Sequence, residues 1–298
     1  MKKVHKPVLL DKILKVFDPQ SNENYIDCTI NGGGHSLAIL DLIKPKGKVL
    51  GIDWDRTLID LLGAQVNSDD AERLILVSAN YAHLKNIVKD NLSGEVSGIL
   101  FDLGFSSYHI EGSRGGFSFL RNEELDMRYN RQGDLPTARE LLASLDEEEL
   151  VGIFKNYGQE RFSKNIARAI VEQRTKSPIK TTNDLVSIIE GAVPGKYRHG
   201  KIHFATRSFQ ALRIAVNREL ENIKQGIGSA IEILRSGGKL SVISFHSLED
   251  SVVKNLLREA EAKKEVLILT KKPIMASARE NNENRRARSA KLRIVQKI

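Results

Sequence analysis

The chain has 298 residues, 41% of them hydrophobic, and carries a formal net charge of +8. This length predicts one large domain with an insertion, or two domains, and the apolar runs fall short of the roughly 20 residues of a transmembrane helix. Because residues 1–14 also lack a signal-peptide pattern, we expect a soluble, cytoplasmic protein. Its single cysteine, Cys28, excludes an internal disulfide and a multi-cysteine zinc site, and no metal site is predicted.

Short apolar, β-branched runs alternate with helical patterns, as expected of a parallel sheet covered by helices on both faces. Seven runs are predicted as strands: residues 25–30, 48–53, 74–79, 97–104, 239–245, 266–269 and 291–298. Helices are predicted between the first four strands, near residues 36–43, 57–65 and 82–90. The sequence therefore predicts the α/β class, with a mostly parallel, seven-stranded sheet that is doubly wound.

A helical segment interrupts this alternation from about residue 105 to residue 234, where no convincing strand occurs. Within it, Phe162, Ile166 and Ile170 form an apolar stripe at helical spacing. We therefore predict one domain built from residues 1–105 and 215–298, and a helical insertion domain over residues 106–214.

Three consecutive glycines, Gly32 to Gly34, directly follow the first predicted strand. Open parallel sheets bind ligands at the carboxyl ends of their strands, and the N–H groups of the following helix favour a polar or anionic group. Asp53 ends the second strand 20 residues after Gly33, a spacing suited to a carboxylate that accepts ribose hydroxyls. The loop reads G-G-G-H-S, which disfavours a dinucleotide; an ordinary tight turn is the alternative to a nucleotide-like cofactor.

Further polar and aromatic residues follow the next strand ends. Tyr81 follows the third strand, where its ring could cover an adenine, and Asp102 ends the fourth, where an aspartate can also simply cap a turn. His246 follows the fifth strand and could accept a proton or contact a base. It could equally pack at a turn, because Ser247 and Asp250 resemble a capping box. Asp102 and His246 are thus the candidate catalytic residues.

Basic residues concentrate in two parts of the chain. Residues 271–298 contain nine lysines and arginines against two glutamates, and residues 195–207 interleave basic and aromatic side chains. Such a mixture can hold phosphates and stack a base, although a solvated loop has the same composition. The predicted RNA contacts are Lys196, Tyr197, Arg198 and Lys201. A second candidate is the cluster Arg285, Arg286 and Arg288.

Nine short blocks occur in order from His5 to Arg293: HKPVLL, YIDCTINGGGHS, GIDWD, GILFDLGFSS, RGGFSF, LDMRYN, LRIAVNREL, ISFHSLED and RARSAKLR. Together they resemble the ribosomal RNA small subunit methyltransferase H family, also called MraW. The resemblance implies S-adenosylmethionine as cofactor and a class I, Rossmann-like methyltransferase fold with a helical insertion for RNA recognition. It also implies methyl transfer to N4 of a cytidine in 16S ribosomal RNA. Oligomeric state, a homodimer included, is left undecided.

The resemblance assigns cofactor contacts position by position. The residues it assigns are Gly33, Gly34, His35, Asp53, Tyr81, Asp102 and His109. Tyr81 keeps the aromatic ring of the phenylalanine usual in the family, whereas His109 replaces a glutamine and Cys28 replaces a glycine.

Two other functions stay open on the sequence. A small-molecule methyltransferase would explain the glycine loop and the acids but would leave the basic segments without a role. A non-catalytic RNA-binding assembly factor could retain a methyltransferase-like sheet without binding the cofactor.

Overall fold

A computed structural model describes residues 7–104, 108–109 and 114–298, and the chain divides into two units. The sheet unit comprises Met1–Phe105 with Leu220–Ile298, and the helical unit comprises Ser106–Glu219. The sequence predicted the return to the sheet-bearing part at residue 215, five residues earlier. The difference arises because the helix Thr206–Asn217 packs Phe209 and Leu212 into the core of the helical unit, and the chain turns only at Arg218, whose φ is 50°.

One sheet of eight strands forms the centre of the sheet unit. The strands are β1 (Asn24–Asp27), β2 (Val49–Asp53), β3 (Leu74–Ser78), β4 (Val96–Asp102), β5 (Leu234–Ser244), β6 (Val266–Ile268), β7 (Ile274–Met275) and β8 (Lys291–Lys297). Their order is β3-β2-β1-β4-β5-β8-β6, and β7 pairs with β8. The α/β class is confirmed. The predicted count of seven strands is wrong, because the two-residue β7 is too short to produce a periodic pattern.

Strands β1 to β5 pair in parallel, whereas β8 is antiparallel to its neighbours β5, β6 and β7. Every residue of β4 is buried, as expected of a central strand that helices cover on both faces. The helices of this unit are Leu10–Phe17, Gly34–Leu42, Arg56–Gly63, Ser68–Ala71, Leu84–Asn91, Glu219–Ile233, Ser247–Ala262 and Ala278–Glu283, with 3-10 turns at Tyr81–His83 and Arg285–Ser289. No helix in the described ranges is long and apolar enough to cross a membrane.

The helical unit has its own apolar core, in which Leu150, Phe154, Ile166, Leu185 and Leu212 are fully buried. Among the described residues, its helices are Ala138–Ser144, Glu147–Asn156, Ser163–Arg174, Thr182–Ala192, Gly195–Arg198 and Thr206–Asn217. Capping boxes fix three of the helix starts, by pairing a side chain at the cap with an acid three residues later. The three pairs are Thr137 with Glu140, Asp146 with Glu149, and Thr181 with Asp184.

Candidate functional site

Strand order reverses between β1 and β4, which lie side by side at the centre of the sheet. Asp27 ends β1, Asp53 ends β2 and Asp102 ends β4, so three carboxyl groups lie at the same edge of the sheet. Neighbouring strands are about 4.8 Å apart. In open α/β sheets this reversal point forms the crevice that binds ligands, and the sequence predicted two of the three acids here.

The turn from β1 into the helix Gly34–Leu42 requires its glycines. Gly33 has a φ of +75°, and a Cβ atom there would lie 2.7 Å from Leu62 Cδ1. A Cβ on Gly34 would lie 3.0 Å from Pro7 Cδ. The left-handed backbone and the close neighbouring side chains together explain why the chain uses glycine at these positions.

Asp53 ties the end of β2 to this turn. Its Oδ2 accepts the N–H of Asn31 at 3.1 Å, and its Oδ1 accepts the N–H of Asp55 at 3.0 Å. The half-buried carboxylate is therefore oriented by backbone groups and could accept hydroxyl protons of a ligand.

Asp27 belongs to this group of acids, although the sequence assigned it no role. Its Oδ1 accepts the N–H of Thr29 at 3.1 Å, and its Oδ2 accepts the hydroxyl of Ser36 at 2.7 Å. Burial raises the pKa of Asp27 to about 6, and the hydrogen bonds from Ser36 and Thr29 oppose this rise only in part. The predicted strand 25–30 placed Asp27 inside the strand, whereas the observed β1 ends at Asp27.

Asp102 is the second buried acid of the three. Its N–H donates to Thr29 Oγ1 at 2.6 Å, while the buried Oδ1 has no hydrogen-bond partner among the described residues. Burial raises the pKa of Asp102 well above its usual value, and the neighbouring Asp27 charge adds to the rise. Asp102 therefore keeps its proton to a higher pH than an exposed aspartate does, and its Oδ1 is available to a ligand.

His35 stands at the start of the helix Gly34–Leu42 and is 4% exposed. Its Nε2 lies 2.9 Å from the carbonyl oxygen of Val8, which can only accept, so Nε2 carries the proton and Nδ1 does not. Nδ1 lies 3.8 Å from Asp102 Oδ2. Burial lowers the pKa of His35 to about 4, so the ring is neutral. Its hydrogen bond to Val8 connects that segment to the glycine turn.

Tyr81 begins the 3-10 turn after β3, which Asn80 caps by accepting the N–H of Ala82 at 2.9 Å. The ring lies edge-on to Phe101, with centroids 5.3 Å apart. A Cβ on Gly226 would lie 2.7 Å from Tyr81 Cδ2, so the helix Glu219–Ile233 has a glycine where the ring packs. The half-buried ring thus has a fixed position beside the carboxyl ends of β3 and β4.

His246 caps the helix Ser247–Ala262. Its Nδ1 accepts the N–H of Glu249 at 3.3 Å, and Glu249 Oε2 accepts the N–H groups of Phe245 and His246 in return. His246 Nε2 lies 3.1 Å from Glu249 Oε1. The predicted pairing of Ser247 with Asp250 is wrong, because the buried Glu249 makes the return bonds and Asp250 binds Arg293 at 2.7 Å. His246 therefore has a structural role at the turn, as the cap of this helix. Its contact with a base stays a prediction.

His109 belongs to the helical unit, where its ring is buried. Its centroid lies 5.0 Å from that of Tyr129 and 5.2 Å from that of Phe117, and these two rings stack on each other at 5.6 Å. Its predicted contact with a cofactor stays a prediction. Two parts of the family blocks, His5 and the segment 105–107, lie outside the described residues.

The basic segment 195–207 also lies in the helical unit. Tyr197 donates its hydroxyl to Glu160 Oε2 at 2.7 Å, and the guanidinium of Arg161 lies 4.7 Å from its ring centroid. Arg198 donates to the carbonyl of Val193 at 3.3 Å. Lys196 and Lys201 are exposed, so these two side chains are the most accessible to a polyanion, whereas the tyrosine ring is already covered on one face.

Comparison with known proteins identifies the chain's family. A family model described as the MraW methylase family matches residues 2–298. The chain belongs to this family. A relative from Clostridium botulinum (strain Loch Maree / Type A3), named ribosomal RNA small subunit methyltransferase H, is 42% identical over a 310-residue alignment that covers 99% of each chain. A protein of the same name from Heliobacterium modesticaldum is 40% identical, over 99% of this chain and 98% of its own.

A solved structure described as an rRNA methylase from Streptococcus thermophilus aligns with 99% of this chain and 98% of its own. The identity is 9% and the TM-score is 0.48, a likeness too low to carry an argument about activity. Membership of the MraW family and the observed order of strands identify the fold as the Rossmann-like, class I methyltransferase fold.

Proposed function

We propose that this chain transfers a methyl group from S-adenosylmethionine to N4 of a cytidine in small-subunit ribosomal RNA. Membership of a methylase family supports methyl transfer, and the relatives' shared name supports small-subunit RNA as the substrate. The observation that carries the proposal is the group of three acids at the reversal point of the sheet, in which Asp102 offers a buried oxygen without a partner among the described residues.

The residues at this point suit S-adenosylmethionine. Asp53 carries a carboxyl group of the kind that accepts ribose hydroxyls, and Tyr81 carries an aromatic ring of the kind that packs on an adenine. The turn at Gly33 and Gly34 would contact the cofactor through its backbone, because the side chain of His35 is already engaged with Val8. Bound there, the cofactor would supply a methyl group that its positive sulfur already activates.

The residues of the chain must then align N4 of the cytosine, which receives the methyl group. Alignment alone can lower a reaction barrier by roughly 7–11 kcal/mol. The lone pair on N4 of cytosine is delocalised into the ring, and acceptors placed on its two amino hydrogens favour the pyramidal form that exposes it. Asp102 supplies one acceptor at Oδ1, which has no hydrogen-bond partner among the described residues. Backbone carbonyls after Asp102 supply the second.

Substrate selection falls to basic residues that hold phosphates around a base displaced from its stack. Lys196 and Lys201 are the first candidates in the helical unit, because both are exposed. Tyr197 and Arg198 complete the proposed surface, with Tyr197 stacking a base only on the face that Arg161 leaves open.

The test is methyl transfer to small subunits and to naked small-subunit RNA, both taken from cells that lack the protein. The purified chain and S-adenosylmethionine labelled in its methyl group are added, and the RNA is digested to nucleosides for mass spectrometry. We expect label in N4-methylcytidine. Label in another nucleoside refutes the choice of atom, whereas absence of label from RNA refutes the substrate class. Absence of cofactor binding in calorimetry would favour an assembly factor.

A further inference from the structure

A basic groove of about 250 Å³ lies in the sheet unit, away from the acids of the candidate site. The helix Ser247–Ala262 forms one wall with Lys254 and Arg258, and Lys271, which follows β6, belongs to the opposite wall. Leu257 and Ile268 line the groove as apolar residues. No step of the proposed methyl transfer uses this groove.

The groove carries uncompensated positive charge. Lys254, Arg258 and Lys271 form no salt bridge within the described ranges 7–104, 108–109 and 114–298. The lining residue Glu261 accepts the N–H of Ile268 at 2.9 Å through its Oε1 and is the one acid that lines the groove in the described part of the chain. The three cations therefore outnumber the acid.

The fourth cation of the groove, Arg293, is paired with an acid outside the groove. Arg293 makes a bidentate pair with Asp250, at 2.7 Å and 3.2 Å, and Lys291 lies 3.3 Å from the same carboxylate. Burial disfavours the charged carboxylate, but the bonds from Arg293 and Lys291 hold the pKa of Asp250 below its usual value. Asp250 thus pairs with two cations, of which Arg293 lines the groove.

The spacing of the cations suits a chain of phosphates. Lys254 and Arg258 are one helical turn apart on the same face, where Cβ atoms are about 5–6 Å apart, and Lys271 faces them from the other wall. Lys254 is half-buried, whereas Arg258 and Lys271 are exposed. A linear polyanion lying along the groove would meet cations on both sides.

The groove and the candidate site lie on the same sheet. Strand β6 runs in the same direction as β4 and β5, because β5 and β6 are both antiparallel to β8, and its last residue, Ile268, lies level with Ile99 of β4, three residues before Asp102. Three strand spacings and a rise of three residues place Ile268 about 17 Å from the end of β4. This distance lies within reach of a nucleic acid whose target base occupies the pocket beside β4.

We propose that this groove binds phosphates of the substrate RNA next to the target cytidine. The proposal rests on the proposed function and adds an RNA contact on the sheet unit to those on the helical unit. It predicts that the groove contributes to RNA affinity and to its salt dependence, and that it leaves cofactor affinity unchanged.

The test compares the double variant Lys254→Gln/Arg258→Gln with the wild-type chain. Lysine, arginine and glutamine have similar helix propensities, so the helix should persist. Binding of a fluorescein-labelled fragment of small-subunit RNA is measured by anisotropy over a range of KCl concentrations. For single strands the slope of log K against log salt is about −0.7 per neutralised phosphate, so the double variant should have a slope smaller by about 1.4. Lys271→Gln, outside the helix, should reduce it by about 0.7.

The matched control is Lys46→Gln/Lys89→Gln. Both lysines are exposed in the sheet unit and precede β2 and β4, so they lie toward the opposite edge of the sheet. The control removes the same charge and should leave the slope at its wild-type value. Equal slopes for the groove variants and the wild type would overturn the groove proposal alone. If the wild-type chain neither binds nor methylates the RNA, the proposed function fails instead.

Discussion

Replacing Asp27 by asparagine tests the cost of burying an acid at the end of β1. Burial raises the pKa of Asp27 from 3.8 to about 6, a difference of about 2 units. At 1.36 kcal/mol per unit, ionising Asp27 costs the folded protein about 3 kcal/mol more than the unfolded chain. The substituted side chain can still accept from the Thr29 N–H through its amide oxygen and can donate to the Ser36 hydroxyl through its amide nitrogen, so the variant keeps its local hydrogen bonds.

The sign of the pH dependence follows from the raised pKa. Below pH 3.8 Asp27 is protonated in both the folded and the unfolded chain, and no penalty applies. The penalty grows as the pH rises and is complete above about pH 6, so the stability of the wild-type chain falls across this range relative to that of Asp27→Asn. The variant should therefore gain about 3 kcal/mol over the wild type between pH 4 and pH 7.

Urea unfolding of both chains at each pH, followed by circular dichroism, measures this difference. Asp90→Asn is the matched control, because Asp90 is exposed on the helix Leu84–Asn91 and stays in water in both states. Its difference from the wild type should not change with pH. A pH-independent difference for Asp27→Asn as well would refute the burial cost that we assign to Asp27.

Substitutions at four other site residues have distinct expected outcomes. Gly33→Ala should lower the free energy of unfolding in urea by about 2–4 kcal/mol, because the positive φ and the 2.7 Å approach to Leu62 both oppose a Cβ; a change under about 1 kcal/mol would contradict this. Asp53→Ala should weaken cofactor binding in calorimetry at least about tenfold while the variant still folds, and unchanged affinity would show that the ribose is misplaced. Asp102→Ala should reduce turnover far more than thermal stability, whereas equal losses would make Asp102 a structural residue. His246→Ala should cost about 1 kcal/mol of stability and His246→Asn should restore it, but an equal loss of turnover in both variants would indicate a contact with the base.

Regular strands were the part of the fold that the sequence predicted best. The run 48–53 was predicted and Val49–Asp53 is observed, because a strand buried on both faces must be apolar along its whole length. The same principle does not apply to the two-residue β7, which exists because Ile274 and Met275 pair with Leu292 and Lys291 of β8. The amino-acid sequence of β7 alone does not distinguish it from a loop.

The site was predicted where a residue's role is visible from its own segment, and missed where the role depends on a neighbour in space. Asp53 ends an apolar run and follows the glycines at a recognised spacing, so the sequence singled it out. Asp27 interrupts an apolar run instead, and its proximity to Asp102 arises only when β1 and β4 pair across 75 positions. The sequence placed the helix cap at Ser247, because serine is the commoner cap. The cap is His246, because the buried Glu249 makes the return hydrogen bond to its backbone.

The three aspartates of the site have the same side chain but different burial and hydrogen bonds, and these differences give each a different role. Asp53 is half-buried and accepts two backbone N–H groups, which orient its carboxyl oxygens. Asp102 has no bond to Oδ1 within the described chain, and burial together with the neighbouring Asp27 charge raises its pKa. Asp27 titrates at about 6 and its charge raises the pKa of Asp102, so neutralising Asp27 should ease the ionisation of Asp102. If neutral Asp102 is the form that orients the cytosine amino group, Asp27→Asn should stabilise the fold and yet shift the alkaline limit of turnover to lower pH, an opposition that stability alone would not produce.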